Sequence, residues 1–218
     1  MQQSAESLYQ ELKKSIDSKY EEVQGTIDTS KKFYKIYQLE GNAVGQIGEA
    51  FLKKVIAGIT TLDTDITEII HDEYDIRTKS GVTFEVKTAR YGRNCSFQFN
   101  GINPSYNVDY IICLGICEDT AVYRIITKRE EVVYVHNKRG HYVINPDFSK
   151  KLVQMNPGND VNYKLTLSLE QMYSIENLVH DLKRKIHSFE YRRNAQKSAQ
   201  IINYGTINND NSKHITIK

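Results

Sequence analysis

Three charged residues with the potential for joint chemistry lie within residues 74–87 of this 218-residue chain. Side chains alternate between the two faces of a strand, so Glu85 and Lys87 project to one side. Asp75 stands between Tyr74 and Ile76 and projects away from both. The turn sequence Lys79-Ser80-Gly81 predicts a hairpin that brings Asp75 beside Glu85. Two carboxylates and one ammonium are therefore expected on one shared face.

Charges interleaved with apolar residues on paired strands are costly unless a partner compensates them. A hard divalent cation such as Mg²⁺ does this through two carboxylates, waters and a phosphate. Lys87 would then hold or help deprotonate a water that attacks a phosphodiester. The alternative is a surface hairpin with an ordinary cross-strand pair between Glu85 and Lys87. That alternative does not explain why Asp75 interrupts an apolar strand.

The surrounding pattern predicts the elements that must position these residues. Leu8, Leu12, Ile16 and Tyr20 repeat at helical spacing, and a second helical stripe covers residues 40–57, where Gly45 and Gly48 permit close approach of another backbone. Alternation predicts strands at residues 67–71, 74–78, 82–90, 96–100, 110–117 and 122–127. A further hairpin is predicted across residues 132–144, and a capping box at Ser168 and Gln171 predicts a C-terminal helix.

Asp75, nine residues, and then Glu85-Val86-Lys87 resemble the signature of the PD-(D/E)xK nuclease superfamily, which includes most type II restriction endonucleases. Glu49, in a helix before the sheet, resembles the helical glutamate of many members, which often contacts metal through water. Residues 97–100 occupy the place of the strand that follows the catalytic lysine, and the apolar residues 109–117 resemble the family's core strand. Tyr74 replaces the proline of the family's motif.

This resemblance covers roughly residues 40–128 and implies a restriction-endonuclease-like α/β fold, a mixed central sheet flanked by helices, with extra N- and C-terminal helices. It implies that Asp75 and Glu85 bind Mg²⁺, with Mn²⁺ able to substitute. Glu49 would support the outer metal shell, and Lys87 would position the water. The expected function is a Mg²⁺-dependent type II restriction endonuclease that cuts double-stranded DNA. The alternatives are a repair, junction-resolving or phage-defence nuclease, or a non-catalytic DNA-binding module.

Several polar residues are candidates for DNA contact, each with a structural alternative. Arg90 and Arg93 would clamp a phosphate, or be solvated arginines at a strand end. Gln98 and Asn100 would polarise a phosphate or read a base edge, or close a turn. A third set, in the 132–144 hairpin, would enter a groove or form a solvated turn: His136, Lys138 and Arg139.

Composition limits the class of protein. The 29 Lys+Arg and 27 Asp+Glu give a net charge of +2, which excludes a uniformly basic coat. Three cysteines and a polar start without an apolar segment lead us to expect a cytoplasmic protein that neither enters a membrane nor forms a disulfide framework.

Three regions are predicted: an N-terminal helical region (1–38), the nuclease-like domain (39–198) and an Asn-rich, β-prone tail (199–218). Cutting both strands of a duplex requires two active sites, so a homodimer or higher homo-oligomer is expected. Isoleucines in the tail make that segment the candidate subunit interface, with disorder or packing onto its own domain as the alternatives.

Overall fold

The structure is a computed structural model that describes residues 4–23, 30–63, 73–92 and 94–210. The α-helices in these residues are α1 (Ala5–Val23), α2 (Gly41–Ala57), α3 (Lys128–Glu131) and α4 (Leu178–Asp210). The strands are β1 (Ile76–Arg77), β2 (Thr83–Arg90), β3 (Ser96–Ile102), β4 (Tyr110–Ile116), β5 (Ala121–Thr127), β6 (Val132–Val135), β7 (Gly140–Ile144), β8 (Ser149–Lys151), β9 (Val153–Gln154), β10 (Tyr163–Ser168) and β11 (Tyr173–Ser174).

The central sheet is mixed and has the order β1-β2-β4-β5-β11. β1 and β2 form the predicted antiparallel hairpin, with Ile76 opposite Phe84. β2 runs parallel to β4, and β4 runs antiparallel to β5. Every residue of β4 and β5 is buried, because helices cover one face of the sheet and further strands cover the other. The predicted α/β class with a mixed central sheet is confirmed at this level.

Two of the predicted helices, α1 and α2, pack against each other, and α2 packs against β2. The predicted α1 stripe is buried, as is the α2 stripe: Leu8, Leu12, Ile16, Tyr20, Val44, Ile47, Phe51 and Val55. At Gly48 a Cβ atom would lie 1.8 Å from Thr88 Oγ1 of β2, so only glycine permits this approach. Nothing lies within 4 Å of the corresponding position at Gly45. The predicted close contact therefore occurs at Gly48 alone.

The opposite face of the central sheet carries a core shared with two smaller sheets, β3-β10-β9 and β6-β7-β8. Phe97 and Phe99 of β3, Cys113 of β4 and Leu165 of β10 belong to this core. The sequence predicts β3 as the strand after β2. β3 packs against β2, but it forms its hydrogen-bonded pairing with β10 in a separate sheet. The register of that pairing shifts between Leu165↔Phe99 and Tyr163↔Ile102, which marks a bulge at Asn100 and Gly101.

The C-terminal helix starts later than predicted. Ser168 and Gln171 do form the capping box, but the box opens a 3₁₀ helix, Leu169–Gln171. The chain then becomes extended, because Tyr173 and Ser174 pair with β5, and α4 begins at Leu178. Pairing with the central sheet thus outweighs the helical pattern. The predicted strand at 67–71 lies outside the described residues.

Residues 199–210 were expected to be β-prone, yet α4 continues through Asp210. Extending an existing helix avoids the cost of nucleating a new element. The last eight residues lie outside the described part of the chain. Contacts divide the protein into two units, Met1–His180 and Asp181–Lys218. The predicted domain limits at 38/39 and 198/199 stay predictions. No helix in the described residues is long and apolar enough to cross a membrane.

Candidate active site

Asp75 is fastened to β2 by its backbone and its side chain. Its N–H donates to the Phe84 carbonyl at 2.9 Å, and its Oδ2 accepts from the Val86 N–H at 2.6 Å. Continuing the Ile76–Phe84 pairing by one residue places Asp75 across from Glu85, as the sequence predicts. Asp75 directly precedes β1, and its two hydrogen bonds to β2 fix its position.

Glu85 and Lys87 lie on one face of β2 and form an ion pair, with Lys87 Nζ 2.8 Å from Glu85 Oε1. The other carboxylate oxygen of Glu85, Oε2, is buried and has no hydrogen-bond partner among the described residues. Glu85 is only 3% exposed, and burial raises its pKa against the opposing effect of Lys87. This carboxylate is therefore short of compensating contacts.

The β3 bulge lies over the Lys87 ammonium. Gly101 has φ +74°, a left-handed conformation that favours glycine, and a Cβ there would lie 3.6 Å from Lys87 Nζ. The bulge thus brings the β3 backbone against the lysine. Sequence reasoning missed Gly101, although a glycine within an alternating strand is itself a signal for a bulge.

Glu49 reaches the same region from α2. Its side chain is half-buried, and burial together with the neighbouring Asp75 carboxylate raises its pKa, while Lys53 and Lys87 oppose the shift. The structure therefore brings Glu49 into the electrostatic environment of Asp75 and Lys87. The contact between Gly48 and Thr88 sets how closely this part of α2 approaches β2.

A second lysine, Lys128, lies near Glu85 and was not predicted. Lys128 is buried, its ammonium donates to the Pro104 carbonyl at 2.5 Å, and burial lowers its pKa while Glu85 opposes that shift. Its position directly after the apolar strand β5 is the only sequence signal for it.

Cys113 pairs in register with Lys87 on the neighbouring strand, and burial raises the pKa of its thiol.

A cleft of about 680 Å³ lies beside these charges, between the start of α2 and the ends of β2 and β3. Three of the predicted DNA-contacting residues line it: Arg90, Gln98 and Asn100. Arg90 Nη1 donates to the Tyr37 and Leu39 carbonyls at 3.0 and 2.9 Å, so this arginine also fastens the 3₁₀ helix Tyr34–Gln38 to β2. Arg93 lies outside the described residues.

The remaining candidates lie on the β6–β7 hairpin, away from the cleft lining. His136 packs edge-on against Tyr134 at 5.0 Å between ring centroids, and the Lys138 ammonium lies 5.3 Å from the Tyr142 ring centroid. Arg139 adopts φ 45° at the turn. These contacts describe an ordered turn, and DNA binding by His136, Lys138 and Arg139 stays a prediction.

Proteins bind Mg²⁺ through one or two carboxylates, together with waters and substrate phosphates. No group of three or more His, Cys, Asp and Glu side chains suited to a metal occurs in the described ranges. Two carboxylates, Asp75 and Glu85, do share one face, and Glu85 Oε2 is a buried oxygen without a partner there. This pair fits a hard cation that obtains its remaining ligands from solvent and substrate.

No protein-family model and no curated protein matches this chain.

Proposed function

We propose that this protein is a divalent-metal-dependent endonuclease that hydrolyses phosphodiester bonds in DNA. The observation that supports it best is the convergence of Asp75, Glu85 and Lys87 on one face of the β1–β2 hairpin, with a buried oxygen of Glu85 left without a hydrogen bond among the described groups. A solvated surface hairpin would have no reason to bury Glu85.

In this proposal Asp75 and Glu85 hold Mg²⁺, or Mn²⁺ in its place. The bound ion supplies electrostatic stabilisation for an in-line displacement at phosphorus. Lys87, whose ammonium is confined by Glu85 and the Gly101 backbone, donates hydrogen bonds that orient the attacking water. Glu49 adds negative charge from α2 and supports waters of the outer metal shell.

We propose that the substrate is duplex DNA and that, among the nuclease roles considered, the protein acts as a type II restriction endonuclease. Discrete fragments from a long duplex would support that role, whereas preference for a four-way junction would support the junction-resolving alternative. Cutting both strands would use two copies of the site, so the proposal includes a homodimer.

The test is incubation of supercoiled plasmid with the full chain in Mg²⁺, Mn²⁺ or EDTA. Nicked or linear plasmid is expected with either metal and not with EDTA. Lys87→Ala should lower the rate by about 10²-fold or more, since it removes a group that acts on the reacting water. Lys14→Ala, an exposed lysine of α1, serves as the matched control and should retain full activity.

The proposal fails if wild-type protein leaves the plasmid intact with both metals, or if Lys87→Ala cleaves as fast as wild type. Intact plasmid combined with a shift of duplex DNA in a gel would establish the non-catalytic DNA-binding alternative instead.

A further inference from the structure

The cleft next to the candidate site has dimensions that distinguish between forms of nucleic acid. Its volume of about 680 Å³ lies within the roughly 300–1,000 Å³ typical of pockets that enclose small ligands. A pocket of this size accepts a single nucleotide rather than a base pair. A base would have to leave its pair, or be unpaired already, to enter.

The strand alternation of β3 decides which groups face this cleft. Phe97 and Phe99 are buried in the core, while Ser96, Gln98 and Asn100 alternate with them and line the cleft. Gln98 Nε2 donates to Asn100 Oδ1 at 3.1 Å, which holds the two exposed amides side by side. Side-chain amides offer both donors and acceptors, the groups that recognise a base edge.

An aromatic ring is fixed at the same wall. Tyr91 lines the cleft, and its ring packs against buried Phe97 at 5.2 Å between centroids. A ring that is already held in place loses little freedom when a base stacks on it, and stacking on aromatic side chains is a general means of binding single strands. Tyr37 also lines the cleft, in the segment that Arg90 fastens to β2.

The charge of the lining also suits a nucleotide. Arg90 is the charged residue among the described residues that line the cleft, and no carboxylate is found in that described lining. Thr88 and Asn100 line the cleft and are the chain neighbours of Lys87 and Gly101, so its lining comes within one residue of the candidate site.

We propose that the cleft binds an unpaired nucleotide of the substrate strand next to the scissile phosphate, with Tyr91 stacking on the base and Gln98 and Asn100 hydrogen-bonding its edge. This inference rests on the proposed nuclease function and specifies the form of the substrate. It applies equally to a base rotated out of a duplex and to a base that is unpaired from the start, since both present a free edge and a free face.

The test is fluorescence anisotropy of the full chain in EDTA, so that cleavage cannot occur. The probes are a labelled single-stranded oligodeoxynucleotide, its perfect duplex, and the same duplex with a short central bulge. We expect the single strand and the bulged duplex to bind about tenfold more tightly than the perfect duplex. Tyr91→Ala should weaken both preferred complexes about tenfold, while Tyr91→Phe, which keeps the ring, should bind like wild type.

Gln98→Ala and Asn100→Ala change exposed side chains, so they test the amides without disturbing the core. Each should weaken single-strand binding about fivefold and alter the order of preference among oligomers of different bases. Tyr191→Ala and Gln10→Ala, exposed residues outside the cleft lining, are the matched controls and should have no effect.

Equal affinity for all three probes, or unchanged binding by Tyr91→Ala, would overturn this inference even if the protein cleaves plasmid with Mg²⁺. Conversely, preference for unpaired DNA that depends on Tyr91, in a protein that cleaves nothing, would support the cleft as a nucleotide site and overturn the proposed catalysis. The binding experiment and the cleavage experiment therefore test the nucleotide site and the proposed catalysis independently.

Discussion

Glu85 is the side chain whose surroundings are the least expected for a structural residue. It is almost fully buried, one of its oxygens pairs with Lys87, and the other lacks a hydrogen bond within the described part of the chain. Lys128 contributes a second nearby positive charge. A buried carboxylate oxygen without a hydrogen-bond partner calls for an explanation, and a bound ion or ligand provides one.

Replacing Asp75 with asparagine separates its charge from its structural contact. Asparagine retains an oxygen that can accept from the Val86 N–H, so the hairpin should be preserved. We expect cleavage to fall about 10²-fold or more, with a free energy of unfolding within about 1 kcal/mol of wild type. Plasmid cleavage and urea denaturation measure the two quantities. If Asp75→Asn cleaves like wild type, the aspartate is not a metal ligand.

His141 should make folding pH-dependent. Its ring lies between Tyr134 and Tyr163, at 5.1 and 5.5 Å between centroids. Burial, and then the nearby Lys128, lowers its pKa, with Asp160 opposing. As the pH falls below about 6.5, the unfolded chain gains a proton at this histidine before the folded protein does, so stability decreases.

His141→Phe should keep the ring contacts and reduce this loss of stability on acidification. Urea denaturation of wild type and variant from neutral to mildly acidic pH provides the measurement. If the free energy of unfolding falls equally in the two proteins over that range, His141 is not the source of the pH dependence.

At the scale of elements, the position of the site depends on two glycines in different elements. Gly48 sets the separation of α2 from β2 and hence of Glu49 from the hairpin. Gly101 allows the bulge that brings β3 over Lys87. The charged residues lie on regular elements, while the glycines determine how closely those elements meet.

Gly45 and Gly48 offer a matched pair within α2. Gly48→Ala would place a Cβ 1.8 Å from Thr88 Oγ1, and the resulting displacement should destabilise the fold by about 1–3 kcal/mol. Gly45→Ala has open space and should stabilise it by up to about 1 kcal/mol through helix propensity. Urea denaturation measures both variants, and a Gly48→Ala protein as stable as Gly45→Ala would contradict the described packing.

Replacement of Gly101 is limited by its backbone conformation rather than by the space around it. Gly101→Ala should cost about 1–2 kcal/mol because an L-residue is strained at φ +74°. Gly101→Asn should cost less, since asparagine tolerates this conformation. Thermal or urea unfolding of both variants compares their stabilities. Gly101→Asn would be the less stable of the two if side-chain crowding near Lys87 were the dominant effect.

The sequence predicted those elements whose patterns are local. The stripe of α2, the turn at residues 79–81 and the continuously apolar β4 each indicate their own structure. Alternation at Tyr163, Leu165 and Leu167 also indicates β10, which is absent from the strands predicted above. The pairing of β3 with β10 depends on residues more than sixty positions apart, and no local pattern specifies that partner.

The residues of the candidate site likewise divide into those that a local sequence pattern predicts and those that tertiary packing brings there. Asp75, Glu85 and Lys87 were predictable from strand alternation and one turn, because all three lie on a single hairpin. Lys128 and the lining residue Tyr91 were not, since their proximity to the hairpin or the cleft arises from tertiary packing.

For the whole molecule, the net charge of +2 conceals an uneven distribution. Residues 61–130 contain 8 basic and 11 acidic side chains, whereas residues 131–218 contain 13 and 8. The acidic segment includes the candidate metal ligands. The basic excess lies partly in the second unit, with Lys183, Arg184, Lys185, Arg192 and Arg193. A near-neutral total is thus compatible with separate segments of opposite charge, one suited to a cation and the other to a polyanion.

Truncation before Ala199 tests the proposed assembly. If the tail joins subunits, light scattering of the full chain should give about twice the 25.2 kDa mass of one chain, and the truncated protein should give the mass of a single chain. The same number of chains per particle before and after truncation would exclude the tail as the interface. Circular dichroism would verify that the remaining domain is folded.

The contact between Gly48 and Thr88 also predicts a genetic relationship. Because the Thr88 side chain is the obstacle that a residue larger than glycine would meet, shortening that side chain should relieve the defect of Gly48→Ala. Thr88→Gly, which also removes the Thr88 Cβ that would lie 2.9 Å from the new methyl group, would then act as a second-site suppressor, whereas Thr88→Ala would relieve the contact only in part. The two positions should vary together wherever this contact is kept. In a selection for revertants of a Gly48→Ala strain, position 88 is where we expect compensating changes to accumulate.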